Sequence, residues 1–468
     1  MTEKYPLETD AALGEKRLCS GCVGEAHLKS VLESAGTVRA CSYCGASGKT
    51  LSIGDVARHV NIAISNHYQR VYAGGPWGDE EVWDDRGELI SEVIADEAGV
   101  DEDVAEDIRE SLSNGKCLED CADPDDGTGF ETKVRYEKAE PNAAVFHNMW
   151  IGFENSIKSE ARFLTRKSTA TLDRIFKGIK DHKTSSGKAV VVDAGPEGLI
   201  SELYRARVFQ SGDKLAAALK RPDIEMGPPP ASGVRAGRMN AFGISVFYAS
   251  RDVDTAIAEV RPPVGSRVAV AKFKVVRPLR LLDVSALRSI EKSGSIFNPE
   301  YLNQLQQANF LRTLSARISR PVMPDDEALE YLATQAIANY LAEEMELDGL
   351  VYPSMQIESS KGNVVLFHRA AHVKLISLLE GTNLDVSFSM PGTDDDEPDY
   401  HVWEEVPPGA TRPSPDIKEV GKPPALEVDL SNIQVHHIKH VKFSLESYPV
   451  SRNYVERIPH ETRVTDEF

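Results

Sequence analysis

The spacing of apolar residues changes character partway along the chain. Before about residue 182 they recur every three to four positions; after about residue 190 they gather into short β-branched runs between turns. Ile53, Val56, Ala57, Val60, Ile64 and His67 share a helical face and predict a helix within about 50–72. Leu89, Ile90, Val93 and Ile94, then Val104, Ile108 and Leu112, predict two more, and Trp150, Phe153, Ile157, Phe163, Leu172 and Ile175 mark a helical segment over about 144–181. KTSSGK at 183–188 is a polar hinge. Beyond it KAVVVDAG, ISELYRARVFQ, ISVFYAS, RVAVAKFKVV, LRLLDVS and GLVYPS read as strands, with helical stretches at 252–260, 298–318 and 325–347. Strands that do not alternate regularly with long helices predict an α+β domain with a largely antiparallel sheet.

The pattern divides the chain into a flexible start (1–18), a cysteine module (19–48), a mainly α-helical domain (49–182), the α+β domain (190–385), an acidic Pro-rich linker (391–425) and a β extension (426–468). LEVDLSNIQVHHIKHVKFSLESY at 426–448 alternates like one or two strands that rejoin the sheet. At 468 residues the chain is too long for one ordinary core.

The formal net charge of −20, from 53 Lys+Arg against 73 Asp+Glu, argues against non-specific nucleic-acid binding. Much of the acidity sits at 79–126, so a later domain can still be locally basic. The chain lacks the run of about 18 apolar residues that a membrane span needs. MTEKYPLETDAALGEKR has no apolar core of the secretory kind, which sets the expectation of a cytoplasmic protein.

All six cysteines precede residue 122. Cys19, Cys22, Cys41 and Cys44 form C-x2-C-x18-C-x2-C, two close thiolate pairs that can close a tetrahedral Zn2+ site; the alternative is four buried free thiols. Four thiolates leave no open position, so such a zinc is structural. Cys117 and Cys121, spaced C-x3-C, read as spectator thiols rather than a second metal site.

The chemistry-bearing residues lie in the second half. In ELYRARVF, alternation puts Arg205 and Arg207 on one face of a strand, costly to bury unless an anion meets them; the alternative is a solvated edge. GRMNAFG offers Arg238 and Asn240 between two glycines, either a loop that approaches a ligand or a tight turn. FYAS presents Tyr248, and Asp252 is a sound N-cap for VDTAIAEV. Glu259 stands at that helix's C-terminal end, where the macrodipole disfavours a carboxylate. In DGLVYPS a strand delivers Ser354 after Pro353, with no nucleophile elbow around it, so its hydroxyl suits binding better than attack.

Taken in order, Arg in a first strand, G-R-x-N-x-x-G, the strand Tyr, T-A-x-x-E, then D-G-x-x-Y-P-S and G-N-x-x-L-F resemble the RES domain over about 198–385. The resemblance implies a fold similar to ADP-ribosyltransferases and a bacterial toxin of a toxin–antitoxin pair that consumes NAD+. It places the NAD site on Arg205, Tyr248, Glu259 and Ser354, with Arg238, Asn240 and Arg207 as substrate contacts. It implies a glycohydrolase or NAD+ phosphorylase, with water or inorganic phosphate favoured as acceptor over a protein side chain and an antitoxin or other regulatory protein as partner, and it leaves oligomeric state open. The segment 19–180, with HNMWIGFENSIKSEARFL, is similar to the HEPN-type domain that precedes some RES domains. HEPN ribonucleases carry an Arg and a His about five residues apart; Arg58 with His67 and Arg174 with His182 are spaced too widely. A HEPN-led ribonuclease and a non-catalytic NAD or ADP-ribose sensor are the competing readings.

Overall fold

The computed structural model describes residues 15–71, 86–114, 129–160, 165–323, 325–357, 361–388, 398–411, 423–442 and 444–454. Cys117, Cys121 and part of the acidic linker lie outside them.

The N-terminal part is mixed rather than mainly helical. Strands β1 (Arg17–Cys19), β2 (Thr37–Ala40) and β3 (Ser47–Ser52) form one small sheet around the cysteine turns. Strands β4 (Tyr68–Arg70), β5 (Glu88–Leu89) and β6 (Arg135–Lys138) form another. Strands this short carry too few residues to show alternation, so helical periodicity dominated the sequence pattern. Helix α1 (Ala26–Ala35) lies inside the cysteine module, where no helix was expected; α2 (Ile53–His67), α3 (Ile90–Ala98) and α4 (Glu102–Asn114) fall where the periodicity puts them, and α5 (Ala144–Asn155) and α6 (Arg166–Phe176) divide the expected 144–181 segment. Ser52 caps α2 by accepting from the Asp55 amide at 3.1 Å, and Gly99 ends α3 at φ 62°. Helices α2, α3 and α4 bury Ile53, Val60, Ile64, Ile90, Ile94 and Ile108 in a core of their own.

The second part is built on an eight-stranded mixed sheet. Its strands are β7 (Val191–Ala194), β8 (Glu202–Phe209), β9 (Phe247–Ser250), β10 (Arg267–Val275), β11 (Leu279–Asp283), β12 (Gly349–Tyr352), β13 (Asn363–Leu366) and β16 (Leu426–His437), in the order β16-β10-β8-β9-β13-β12-β11-β7. Every pairing is antiparallel except β11 with β12, as predicted for a largely antiparallel sheet. The segment at 426–437 does rejoin the sheet, at its edge against β10. Strands β14 (Asn383–Ser387) and β15 (His401–Glu405) pair separately. Helices α7 (Gly212–Lys220) and α8 (Pro222–Glu225) precede β9, α9 (Val253–Glu259) follows it, and α10 (Pro299–Ser319) and α11 (Glu327–Glu343) lead into β12.

One face of the sheet, with Leu203, Phe247, Phe273, Leu281 and Val364, packs on Leu215 and Leu219 of α7. The opposite face is covered in two places. Helix α9 lies over β8 and β10 through Ala256, Ala206, Val268 and Val270. Helices α10 and α11 lie over β12 and β13, and α5 and α6 share that core through Trp150, Phe153, Leu172 and Phe176. The helices at 144–176 are thus continuous with the α+β core. Among the described residues no helix is long and apolar enough to cross a membrane.

Candidate active site

Between those two helical covers the sheet splits. Strand β8 pairs with β9 only at Tyr204↔Ser250. Continuing that register would pair Arg205, Ala206 and Arg207 with Ala249, Tyr248 and Phe247, and none of those pairs forms. Strand edges that diverge leave backbone groups for a ligand to engage. A cleft of about 460 Å³ opens there, lined by Tyr204, Arg205, Tyr248, Ser250, Glu259 and Tyr331 among others.

Glu259 is set by the short helix α9. Asp252 caps it, accepting from the Thr255 amide at 2.8 Å and the Thr255 hydroxyl at 2.9 Å, and it ends just before the Pro262–Pro263 pair. The Glu259 Oε1 accepts from Ser354 Oγ and from Asn363 Nδ2, each at 2.7 Å. Asn363, buried on β13, accepts from Ser250 Oγ at 2.6 Å through its other end, so its amide is fixed in orientation. Both anchors converge on Oε1; among the described residues Oε2 has no partner and stays available to a ligand.

Arg205 lines the cleft on β8 with Cζ 4.7 Å from the Phe247 ring centroid. Among the described residues its buried Nη1 has no hydrogen-bond partner. Desolvation, and then the charge of Arg207, press it below its ordinary value. A guanidinium keeps its charge in proteins, so this burial is a standing cost that an anion would offset.

Arg238 reaches the same cleft from the 237–243 loop. Its Nη1 donates to the Ile318 carbonyl at 2.7 Å at the end of α10, and its Cζ lies 5.1 Å from the Tyr331 ring centroid. Helix α11 pins the loop further: Thr334 Oγ1 donates to the Arg238 carbonyl at 2.6 Å and Gln335 Nε2 to the Gly237 carbonyl at 2.8 Å. Behind it the Tyr248 hydroxyl donates to Asn240 Oδ1 and accepts from the Met239 amide, both at 2.9 Å. Burial pushes the Tyr248 phenol up to about 12, so it acts as a neutral donor and acceptor. Burial, followed by the neighbouring Tyr248 and Glu259, likewise holds the Tyr352 phenol well above its ordinary value.

Of the residues singled out in the sequence, Arg205, Arg238, Tyr248 and Glu259 line one cleft; Ser354 is not among the lining residues and reaches it through its hydrogen bond to Glu259. Asn240 lies one layer back, holding Tyr248. Arg207 is not among the lining residues; its Nη2 donates to the Gly227 carbonyl at 3.0 Å. The lining also includes Asn363, Tyr331, Tyr352, Arg261 and Gln356. Asn363 sits in the G-N-x-x-L-F motif and was within reach of sequence reasoning; Tyr331 faces the cleft from an amphipathic helix with no local signal.

A second cluster lies at the N-terminal sheet. The ligand atoms of Cys19, Cys22, Cys41 and Cys44 are all within 4.8 Å of one another and could hold a metal ion. Burial opposes ionisation at Cys41, but hydrogen bonds from the backbone of Cys44, Tyr43 and Cys19 and from the Cys19 thiol together bring it down to about 6, while burial and neighbouring thiols hold Cys19 and Cys22 up. The histidines of the widely spaced Arg/His pairs are packing residues. His67 is buried against Tyr301 with ring centroids 5.8 Å apart, and buried His182 lies 2.7 Å from the Gly178 carbonyl through Nδ1.

None of the curated proteins matches the chain. Among solved structures, the crystal structure of the M. tuberculosis MbcT-MbcA toxin-antitoxin complex aligns with 36% of this chain and 73% of that chain, at 13% identity and a TM-score of 0.20. Residues 34–171 match the family model of HEPN/RES N-terminal domain 1, and residues 202–388 match that of the RES domain, spanning β8, the split and every lining residue named above. The chain therefore carries a RES domain preceded by a HEPN/RES N-terminal domain.

Proposed function

We propose that the split-sheet cleft binds NAD+ and cleaves its nicotinamide–ribose bond, so that the protein acts as an NAD+-depleting toxin. One observation carries this reading: a carboxylate held on Oε1, with an Oε2 that no described residue engages, shares a cleft with a guanidinium whose buried Nη1 has no hydrogen-bond partner among the described residues. Cleavage at C1′ passes through an oxocarbenium-like state while nicotinamide leaves with the bonding electrons. Glu259 stabilises the positive charge at C1′ or holds the ribose hydroxyls; Arg205 and Arg238 hold the pyrophosphate. Tyr248 bounds the nicotinamide ribose, and Ser354 fixes the Glu259 carboxylate. The C1′ centre then takes an oxygen from water or from inorganic phosphate, giving a glycohydrolase or a phosphorylase. The pocket chemistry calls for no metal.

The same reading makes the four-cysteine cluster a structural zinc site. In a tetrahedron with Zn–S bonds of about 2.3 Å the sulfurs stand about 3.8 Å apart. The Cys19–Cys22, Cys19–Cys44 and Cys22–Cys41 sulfurs are 3.7, 3.6 and 3.9 Å apart. The working division remains 19–48 for the knuckle, 49–182 for the HEPN-like part and 190–385 for the RES domain, followed by the linker and the β extension. A cytoplasmic location and restraint by an antitoxin or other regulatory protein complete the proposal.

The test is to incubate the purified full chain with NAD+, with and without phosphate, and to resolve the products by chromatography. Free nicotinamide with ADP-ribose, or with its 1-phosphate when phosphate is present, supports the reading. Undiminished NAD+ contradicts it.

A further inference from the structure

Arg261 stands where helix α9 has ended. Val260 caps the helix at φ −85°, and Arg261 follows at φ 44°; among the described residues Glu346 is the other non-glycine with positive φ. The position after a C-cap is where glycine ordinarily takes the left-handed conformation, because a β-carbon is strained there. Pro262 follows directly and narrows the backbone choices of Arg261 further. The residue thus holds a costly conformation that glycine would adopt freely.

That conformation carries the side chain to the cleft, which Arg261 lines together with Glu259 and Gln356. Its Nε donates to Gln356 Oε1 at 3.2 Å, and the backbone N–H of Gln356 donates to Ser354 Oγ at 3.1 Å, the hydroxyl that fixes Glu259. Arg261 is solvent-exposed and has no carboxylate partner among the described residues. Among the described residues its Nη groups have no hydrogen-bond partner, and the guanidinium is oriented through Nε.

We infer that Arg261 is a third phosphate-binding residue, gripping the pyrophosphate of the dinucleotide at the mouth of the cleft outside Arg205 and Arg238. The inference rests on the NAD+ reading above. The strained backbone keeps the fork pointed at the cleft, and Gln356 sets its plane, an arrangement suited to bidentate contact with phosphate oxygens. A plain structural role, a cation completing the helix C-terminus, makes a different prediction.

Two variants separate them. Arg261→Ala removes the fork and keeps the β-carbon; it raises the KM for NAD+ roughly 10- to 100-fold, the loss of one charged hydrogen-bonding partner. The kcat stays near the wild-type value, because the pyrophosphate is held alike before and during bond cleavage. Arg261→Gly shows the same rise in KM while its thermal midpoint rises above wild type, since glycine releases the strain. Calorimetric binding of ADP-ribose falls in parallel in both. Unchanged KM and ADP-ribose affinity in both variants, beside an active wild type, overturn this inference and leave the NAD+ reading standing. A wild type that neither releases nicotinamide nor binds ADP-ribose overturns the NAD+ reading, and this inference with it.

Discussion

Replacing Glu259 in two ways separates charge from scaffold. In Glu259→Gln the amide oxygen can still accept from Ser354 and Asn363, whose contacts both end on Oε1 at 2.7 Å. The new amide nitrogen replaces Oε2, which no described residue engages, so folding stability should change by only about 0.5 kcal/mol or less. What disappears is the negative charge facing C1′, and removing one such contact lowers the rate roughly 100- to 1000-fold, or about 2.7–4 kcal/mol in barrier height. Glu259→Ala loses the same charge and strips both anchors. Ser354 can turn to water, but Asn363 is only 2% exposed, and its orphaned Nδ2 costs about 1–3 kcal/mol of stability. The assay pairs nicotinamide release with thermal unfolding of both variants. The account expects equal losses of activity and a lower midpoint in Glu259→Ala alone. Wild-type turnover by Glu259→Gln refutes the role given to the carboxylate, and a matching drop in its midpoint refutes the hydrogen-bond reasoning.

Three further outcomes follow from the geometry. Metal analysis should find about one Zn2+ per chain, lost in Cys41→Ser, because three thiolates cannot close the site; a metal-free wild type removes the zinc from the account. Gly237→Ala should lower stability by about 1–3 kcal/mol and slow NAD+ loss, since its β-carbon would lie 2.7 Å from Asn240 Oδ1 and 3.0 Å from Tyr248 Oη; a neutral result in calorimetry contradicts that packing. Burial, with Lys138 adding to it and Glu97 opposing, keeps His67 below its ordinary value, so the folded state binds its proton later than the unfolded chain. Its contribution is therefore complete above about pH 6.5 and is lost as pH falls. His67→Phe, which preserves the stack on Tyr301, should flatten the fall in thermal midpoint between about pH 6.5 and 5; an unchanged slope places the dependence elsewhere.

The elements whose residues repeat a pattern over several turns were legible in the sequence. Helix α2 occupies 53–67 within the expected 50–72, and α10 occupies 299–319 against an expected 298–318. The interruption of the 144–181 segment was not, because Trp150, Phe153, Ile157, Leu172 and Ile175 all reach one core although α5, the π-helical turn Ser156–Glu160 and α6 supply them. Alternation put Arg205 and Arg207 on one strand face, yet only Arg205 borders the cleft, and Arg207 instead donates from Nη2 to the Gly227 carbonyl. Where the β8–β9 ladder stops depends on tertiary packing, which no window of sequence records. Arg261 was hidden for a similar reason: its positive φ is imposed by the end of a short helix against two prolines.

The most direct measurement of the central claim is a crystal structure of Glu259→Gln soaked with NAD+. The account predicts a dinucleotide threaded through the gap between β8 and β9, its pyrophosphate within hydrogen-bonding reach of Arg205 Nη1 and its nicotinamide ribose against residue 259. NAD+ bound on another surface, or a gap left empty at saturating NAD+, contradicts it.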